Sequence, residues 1–145
     1  MQIQIADKGD LNGLLSLYTQ LHNNKMPNID DGLLSIWNDI INDKNHYIFI
    51  CKEDNTIVSS CVMVIVPNLT NNQRPYALIE NVVTHEDYRN KGFATAVLEY
   101  AKKIAIDKNC YKIMLMTGSK KDSTLNFYRR AGYNSEDKTA FIQWL

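Results

Sequence analysis

At 145 residues the chain has the length of one compact domain and is too short for two ordinary ones. A hydrophobic share of 45% with 22% charged side chains excludes disorder, collagen-like repeats and a disulfide-stapled miniprotein. The 16 basic and 16 acidic side chains cancel, which removes the cationic surplus that broad nucleic-acid binding needs.

The pattern along the chain predicts a single domain over residues 1–145. Gln2 to Ala6 alternates polar and apolar residues and reads as a first strand. Asp10 is placed to cap a helix whose Leu11, Leu14, Leu15, Tyr18 and Leu21 share one stripe. After Pro27, Asp30 or Asp31 restarts a helix carrying Leu33, Leu34, Trp37, Ile40 and Ile41. Tyr47 to Lys52 and Thr56 to Val66 read as a hairpin about the Glu53-Asp54-Asn55 turn. A polar loop, Pro67 to Pro75, leads to a fourth strand, Tyr76 to Thr84. A helix from about Gly92 to Lys108 buries Ala94, Val97, Leu98, Ala101, Ile104 and Ala105. Tyr111 to Met116 is a fifth strand, and Ser123 to Arg130 a short helix ended by Gly132. Tyr133 and Thr139 to Leu145 are expected to complete the sheet. The fold class is α/β, a mixed sheet of six to seven strands flanked by four helices.

Charge is uneven along this order. Residues 1–75 carry 5 basic and 8 acidic side chains, and residues 76–145 carry 11 and 8, so an anionic ligand should meet the second half. Three cysteines, Cys51, Cys61 and Cys110, cannot pair evenly and read as buried reduced thiols. Neither a basic, apolar leader nor a membrane-length apolar run is present, which predicts a cytoplasmic protein without membrane partners. No metal-ligand spacing of Cys, His and carboxylates occurs, so no metal is expected.

The chemistry concentrates in Ile79 to Thr95: a strand, a polar turn, then a helix opening on Arg89-Asn90-Lys91-Gly92-Phe93-Ala94. Bare N–H groups and the positive dipole end of a helix start form a seat for phosphate. Gly92 and Ala94 keep that seat open, Arg89 and Lys91 add charge, and Thr95 adds a hydroxyl. Neither the dinucleotide Gly-x-Gly-x-x-Gly pattern nor the Walker pattern is present. A second cluster, Phe127-Tyr128-Arg129-Arg130-Ala131-Gly132-Tyr133, follows on the last helix. In an extended strand Glu80, Val82 and Thr84 project to one face, unless a bulge intervenes. That places Glu80 as a candidate general base; its other reading is a partner for a nearby donor.

These two clusters, in this order, resemble the GNAT superfamily of N-acetyltransferases across essentially the whole chain. The resemblance implies an acyl-CoA N-acyltransferase fold that uses acetyl-CoA as cosubstrate and acetylates a primary amine. It implies backbone contacts to the diphosphate from Arg89, Asn90, Lys91, Gly92, Phe93, Ala94 and Thr95, and to the pantetheine arm and acetyl group from Val82, Val83 and Thr84. Tyr128 falls on the family's tyrosine, which the resemblance implies is the acid serving the departing thiolate; its other reading is aromatic packing against the helix start. Where many members carry Asn, seven or four residues before that tyrosine, this chain has Lys121 and Thr124. Thr124 is therefore the remaining candidate contact on that helix, and Lys120 or Lys121 a candidate for the 3′-phosphate. Trp37, Tyr47, Asn68 to Arg74, Phe141 and Trp144 fall where the family shapes its acceptor site. The strand Ile-Glu-Asn-Val-Val is similar to the amino-sugar-phosphate branch, whereas Asp30, Asp31 and Asp39 favour a cationic amine. Amino sugars, aminoglycosides, polyamines and peptide amines all remain open as acceptors. A homodimer is compatible with the resemblance, and the alternative function is an inactive CoA-binding sensor or interaction module. His85, in a turn beside Glu86 and Asp87, reads as a surface residue.

Overall fold

Runs of β-branched and aromatic residues become strands and the amphipathic stretches become helices in the computed structural model, which describes every residue but Asn23. In chain order the elements are β1 (Gln2–Ile5), α1 (Leu11–Tyr18), α2 (Asp31–Asn42), β2 (His46–Glu53), β3 (Thr56–Val66), β4 (Tyr76–Thr84), α3 (Phe93–Asp107), β5 (Ile113–Leu115) and α4 (Asp122–Arg130). Short 3-10 turns occupy Lys8–Asp10 and Glu86–Tyr88. Two compact units make up the chain, residues 1–114 and residues 115–145. No helix among the described residues is long and apolar enough to cross a membrane.

The strands order themselves β1-β2-β3-β4-β5, and the first three pairings are antiparallel. Asp54 and Asn55 turn the β2–β3 hairpin with φ of 47° and 63°, the two left-handed residues of a type I′ turn. Ala77 N donates to Lys112 O and Tyr111 N to Pro75 O, both at 3.0 Å. Those partners advance together along both segments, as in a parallel pair, so the sheet is mixed.

Each sheet face buries its own set of side chains. On one, Leu14 and Leu17 of α1 and Trp37 of α2 close over Ile48, Ile50, Val62 and Val83. On the other, α3 packs against β2, β3 and β4 with Phe93, Val97, Leu98, Ala101 and Ala105 buried, and Tyr100 meets Phe49 edge-on at 5.5 Å. Cys51 and Cys61 are buried free thiols, and burial pushes the Cys61 thiol up to about 12.

One expected helix cap forms and another does not. Asp30 caps α2 by accepting from Leu33 N at 2.9 Å. Asp10 does not cap α1: its carboxylate accepts from Asp7 N and pairs with Lys52 Nζ at 2.7 Å. Asp7 does the capping one step earlier, at the 3-10 turn.

The second unit holds α4 and the C-terminal segment. Among the described residues the expected strands at Tyr133 and Thr139 to Leu145 are absent, and the sheet has five strands rather than six to seven. Tyr133 N donates to Tyr128 O and Gly132 N to Arg129 O, with Gly132 at φ 92°, which is the Schellman closure of α4. The amide that would have opened a strand at Tyr133 is thus spent on the helix end. Asn134 then accepts from Glu136 N and Asp137 N, turning the chain again.

Candidate active site

β4 does not run as a regular strand through the chemistry-bearing stretch. Val62 faces Glu80 and Ser60 faces Val83, so β4 carries one more residue than β3 between those pairs. Asn81 sits in that bulge at φ 50°, a left-handed conformation that asparagine tolerates better than most residues. The bulge overturns the expected common face of Glu80, Val82 and Thr84. Opposite residues of paired strands share a face, so Glu80 and Val83 lie with Val62 and Ser60 on the α1–α2 side. Thr84, paired with Ser59, lies on the α3 side, where Ser59 Oγ pairs with its hydroxyl at 2.8 Å and donates to Val83 O at 3.1 Å. Glu80 and Asn81 are exposed, and Val82 and Thr84 half-buried.

Beyond Thr84 the turn is braced by its own side chains. His85 Nδ1 accepts from Asp87 N at 3.3 Å, opening the 3-10 turn, and Glu86 N donates to Gln20 Oε1 at 2.7 Å. Tyr88 stacks edge-on with His85 and Phe93 at 5.8 and 5.6 Å, tying the turn to the buried first residue of α3. His85 is therefore a structural cap rather than a bare surface residue.

The start of α3 is open. Gly92 precedes it at φ 85°, no described side chain caps it, and a Cβ placed on Gly92 would meet nothing within 4 Å. Arg89, Asn90, Lys91, Gly92 and Thr95 are exposed, and Ala94 is half-buried. The two cations fold back onto the turn, Arg89 Nε donating to Thr84 O at 3.3 Å and Lys91 Nζ to Asp87 O at 2.8 Å. Backbone donors at a helix N-terminus, a small open cradle and two nearby cations suit a diphosphate.

In the second unit Tyr128 is half-buried on α4, its ring 5.0 Å from Phe127 and 6.2 Å from Tyr133. Thr124 lies one turn earlier, its hydroxyl accepting from Ser119 Oγ at 3.1 Å, while Lys120 and Lys121 are exposed. Residues 80–95 therefore form one continuous segment of the first unit, and Thr124 and Tyr128 one face of the second.

Sequence reasoning missed the polar atoms behind the bulge. The Ser60 hydroxyl and the Tyr18 phenol are buried and make no hydrogen bond among the described residues. Burial pushes Tyr18 up to about 12, and neighbouring Ser60 and Asn81 pull it the other way. Paired hydroxyls inside an otherwise apolar strand, Ser59-Ser60, were the signal available. Of the other expected acceptor residues, Trp37 is core, with Nε1 donating to Lys8 O at 3.4 Å, and half-buried Tyr47 stacks on Phe49 at 5.8 Å. Phe141 and Trp144 are 93% and 85% exposed. Among the described residues no three His, Cys, Asp or Glu side chains converge on a metal-sized space.

Comparison with known proteins bears on this geometry. The profile of the Acetyltransferase (GNAT) family matches residues 11–133. A glucosamine 6-phosphate N-acetyltransferase of Trypanosoma brucei brucei is 30% identical over 91 residues, 63% of this chain and 60% of the trypanosome protein, less than two thirds of its length. Among solved structures, a putative acetyltransferase from Agrobacterium tumefaciens is 33% identical, with a TM-score of 0.92 over 99% of this chain and 100% of that one. The glucosamine-6-phosphate N-acetyltransferase of Arabidopsis thaliana shares the fold, with a TM-score of 0.85 at 20% identity over 99% of this chain and 97% of its own.

Proposed function

Because the chain belongs to the GNAT family of acetyltransferases, we propose that it moves an acetyl group from acetyl-CoA to a primary amine of a small molecule or peptide. Residues 1–145 act as one catalytic domain in the cytoplasm. The observation that carries this reading is the uncapped start of α3 behind Gly92, directly downstream of a bulged strand. A seat without a capping side chain leaves its N–H groups for a ligand.

Acetyl-CoA supplies an activated thioester, and the chain supplies position and proton traffic. The N–H groups of Phe93, Ala94 and Thr95 hold the diphosphate, with Arg89 and Lys91 released from Thr84 O and Asp87 O to meet its charge. The backbone of Val82, Val83 and Thr84 lines the pantetheine arm, with Asn90 and Thr124 as further contacts. A bulge withdraws a peptide group from the ladder, and in this reading Val82 N–H stabilises the developing oxyanion.

An alkylammonium has a pKa of roughly 10 and is no nucleophile until it loses a proton. Glu80, exposed on the α1–α2 side, accepts that proton directly or through a water held by the unpaired hydroxyls of Tyr18 and Ser60. Tyr128 returns a proton to the leaving thiolate.

Acceptor classes supported by this reading are amino sugars, aminoglycosides, polyamines and peptide amines. The trypanosome relative favours the amino sugar, and exposed Asp30, Asp31 and Asp39 favour a cation. A thiol-release assay with glucosamine 6-phosphate, sisomicin, spermidine and a lysine peptide tests the proposal. Release with any of them supports it. Acetyl-CoA binding without release across all four overturns turnover and favours the sensor module.

A further inference from the structure

The first unit carries a cleft that no step of acetyl transfer uses. It lies between α1 and the turn end of the β2–β3 hairpin, with His85 on its wall, and none of residues 89–95 lines it. Its volume, about 440 Å³, falls within the roughly 300–1,000 Å³ of small-molecule sites. Two local features build it. Lys52 faces Ile57 and Cys51 faces Ser59, so β3 bulges at Val58, whose carbonyl accepts from His85 N at 2.8 Å. Gly13 lets α1 come in close to the hairpin, since a Cβ there would stand 3.0 Å from Ile57 Cδ1.

Polar groups line much of this cleft, and the free ones can donate. Asp10, its side chain 7% exposed, has both oxygens engaged, one by Lys52 Nζ at 2.7 Å and the other by Asp7 N at 2.9 Å. Lys52 keeps two further N–H groups. His85 Nδ1 accepts from Asp87 N, so the neutral ring carries its proton on Nε2. The side chains of Ser16, Asn55 and Thr56 make no hydrogen bond among the described residues. A buried ion pair adds little stability over well-packed apolar residues. What this one adds is an ammonium fixed beside the cleft.

We propose that the cleft binds a small hydroxylated carboxylate of the sugar-acid type. Its carboxylate accepts from Lys52 Nζ and His85 Nε2, and its hydroxyls exchange hydrogen bonds with Ser16, Asn55 and Thr56. The wall suits one negative charge. Asp10 already balances Lys52, and no second lysine or arginine lines the cleft to meet a dianion. A cationic ligand would find no unengaged carboxylate there, and an apolar one would strip water from donors without replacing it. Binding needs no acetyl-CoA, so the proposal stands independently of the acetyl-transfer reading.

Titration of the full chain with gluconate, followed by NMR of the backbone amides and the His85 ring nitrogens, tests it. The response should saturate and centre on residues 9–17, 52–57 and 85. Glucose, which has the hydroxyls and lacks the carboxylate, should bind roughly tenfold to a hundredfold more weakly, the scale of a charged hydrogen bond. The Asp10→Asn, Lys52→Met pair removes both charges together and keeps an oxygen for Asp7 N; it should weaken gluconate by a similar factor. Ser16→Ala with Thr56→Val, both at exposed positions, should weaken it roughly threefold to tenfold. A response that does not saturate, or one centred on residues 89–95, would overturn the proposal. So would glucose binding as tightly as gluconate, inorganic phosphate displacing gluconate at equal concentration, or unchanged affinity in either folded pair of variants. Should the charge-free pair unfold, the Ser16 and Thr56 pair and the glucose comparison decide.

Discussion

Two stretches of this molecule place a left-handed glycine at a helix end, and they resolve the exposed backbone groups in opposite ways. Gly92, at φ 85°, opens α3 and leaves its first N–H groups without a side-chain cap. Gly132, at φ 92°, closes α4, and the Arg129 and Tyr128 carbonyls there accept from Gly132 N and Tyr133 N. In both cases an added Cβ would meet nothing within 4 Å, so the surroundings are equally empty. What differs is which backbone groups are left over. An open donor set costs stability unless a ligand fills it, whereas a closed acceptor set only ends a helix. In the proposed reading, the contrast separates a backbone feature that serves binding from one that serves folding.

The largest expected effect tests whether the second unit joins the chemistry at all. Tyr128→Phe keeps the ring that packs against Phe127 and Tyr133 and removes only the hydroxyl. With an accepted amine, kcat should fall about a hundredfold, the ordinary scale for a lost general acid, while the Kd for acetyl-CoA stays the same. Unchanged kcat would leave α4 with a purely structural tyrosine. Next in size, Gly92→Val forces a β-branched residue into a left-handed backbone and fills the cradle. The strain lowers stability by about 1–3 kcal/mol, while the side chain standing in the diphosphate's place should weaken acetyl-CoA binding roughly tenfold to a hundredfold, measured by calorimetry. Binding at the original affinity would remove the diphosphate from this seat.

That asymmetry also marks how much could be read from residues alone. The Gly92 turn was legible because its determinants are local: a strand, a polar turn and small residues at a helix start. Gly132 was legible as a helix stop for the same reason. The bulge at Asn81 was not, because it exists only against the register of β3, although Asn after Glu80 hinted at a left-handed position. Thr139 to Leu145 reads as a strand and forms none, since strand propensity is realised only where a neighbour offers a ladder. Trp37 and Tyr47 looked like acceptor contacts because an aromatic residue carries the same letter in a core as in a pocket. Burial decides for the core at Trp37, whereas Tyr47 stays half-buried and stacks on Phe49.

A pH prediction follows from the groups behind the site. Tyr18 and Cys61 are both raised to about 12 by burial, from ordinary values of 10 and 9. The folded chain thus keeps protons that the unfolded chain releases. Stability contributed by these groups is complete below about pH 9 and is lost as pH climbs toward 12. Thermal unfolding followed from pH 8 to 11 should show a falling Tm, with the steepness reduced in Cys61→Ala and in Tyr18→Phe. A Tm that is flat over that range would mean both groups ionise as readily folded as unfolded.

The smallest effect closes the comparison. Gly132→Ala introduces a Cβ into empty space, so it adds no clash and removes no contact. What remains is backbone strain at positive φ and a less flexible unfolded chain, and these oppose one another. The strain outweighs the stiffening of the unfolded chain and leaves a net loss of about 1 kcal/mol. For a chain of this length that is a Tm lower by roughly 3–5 °C. Acetyl-CoA affinity should not move, because the Schellman closure offers no donor to a ligand. Equal losses of affinity in Gly132→Ala and Gly92→Val would show that the two glycines act through stability alone, and would dissolve the distinction between the open and the closed helix end.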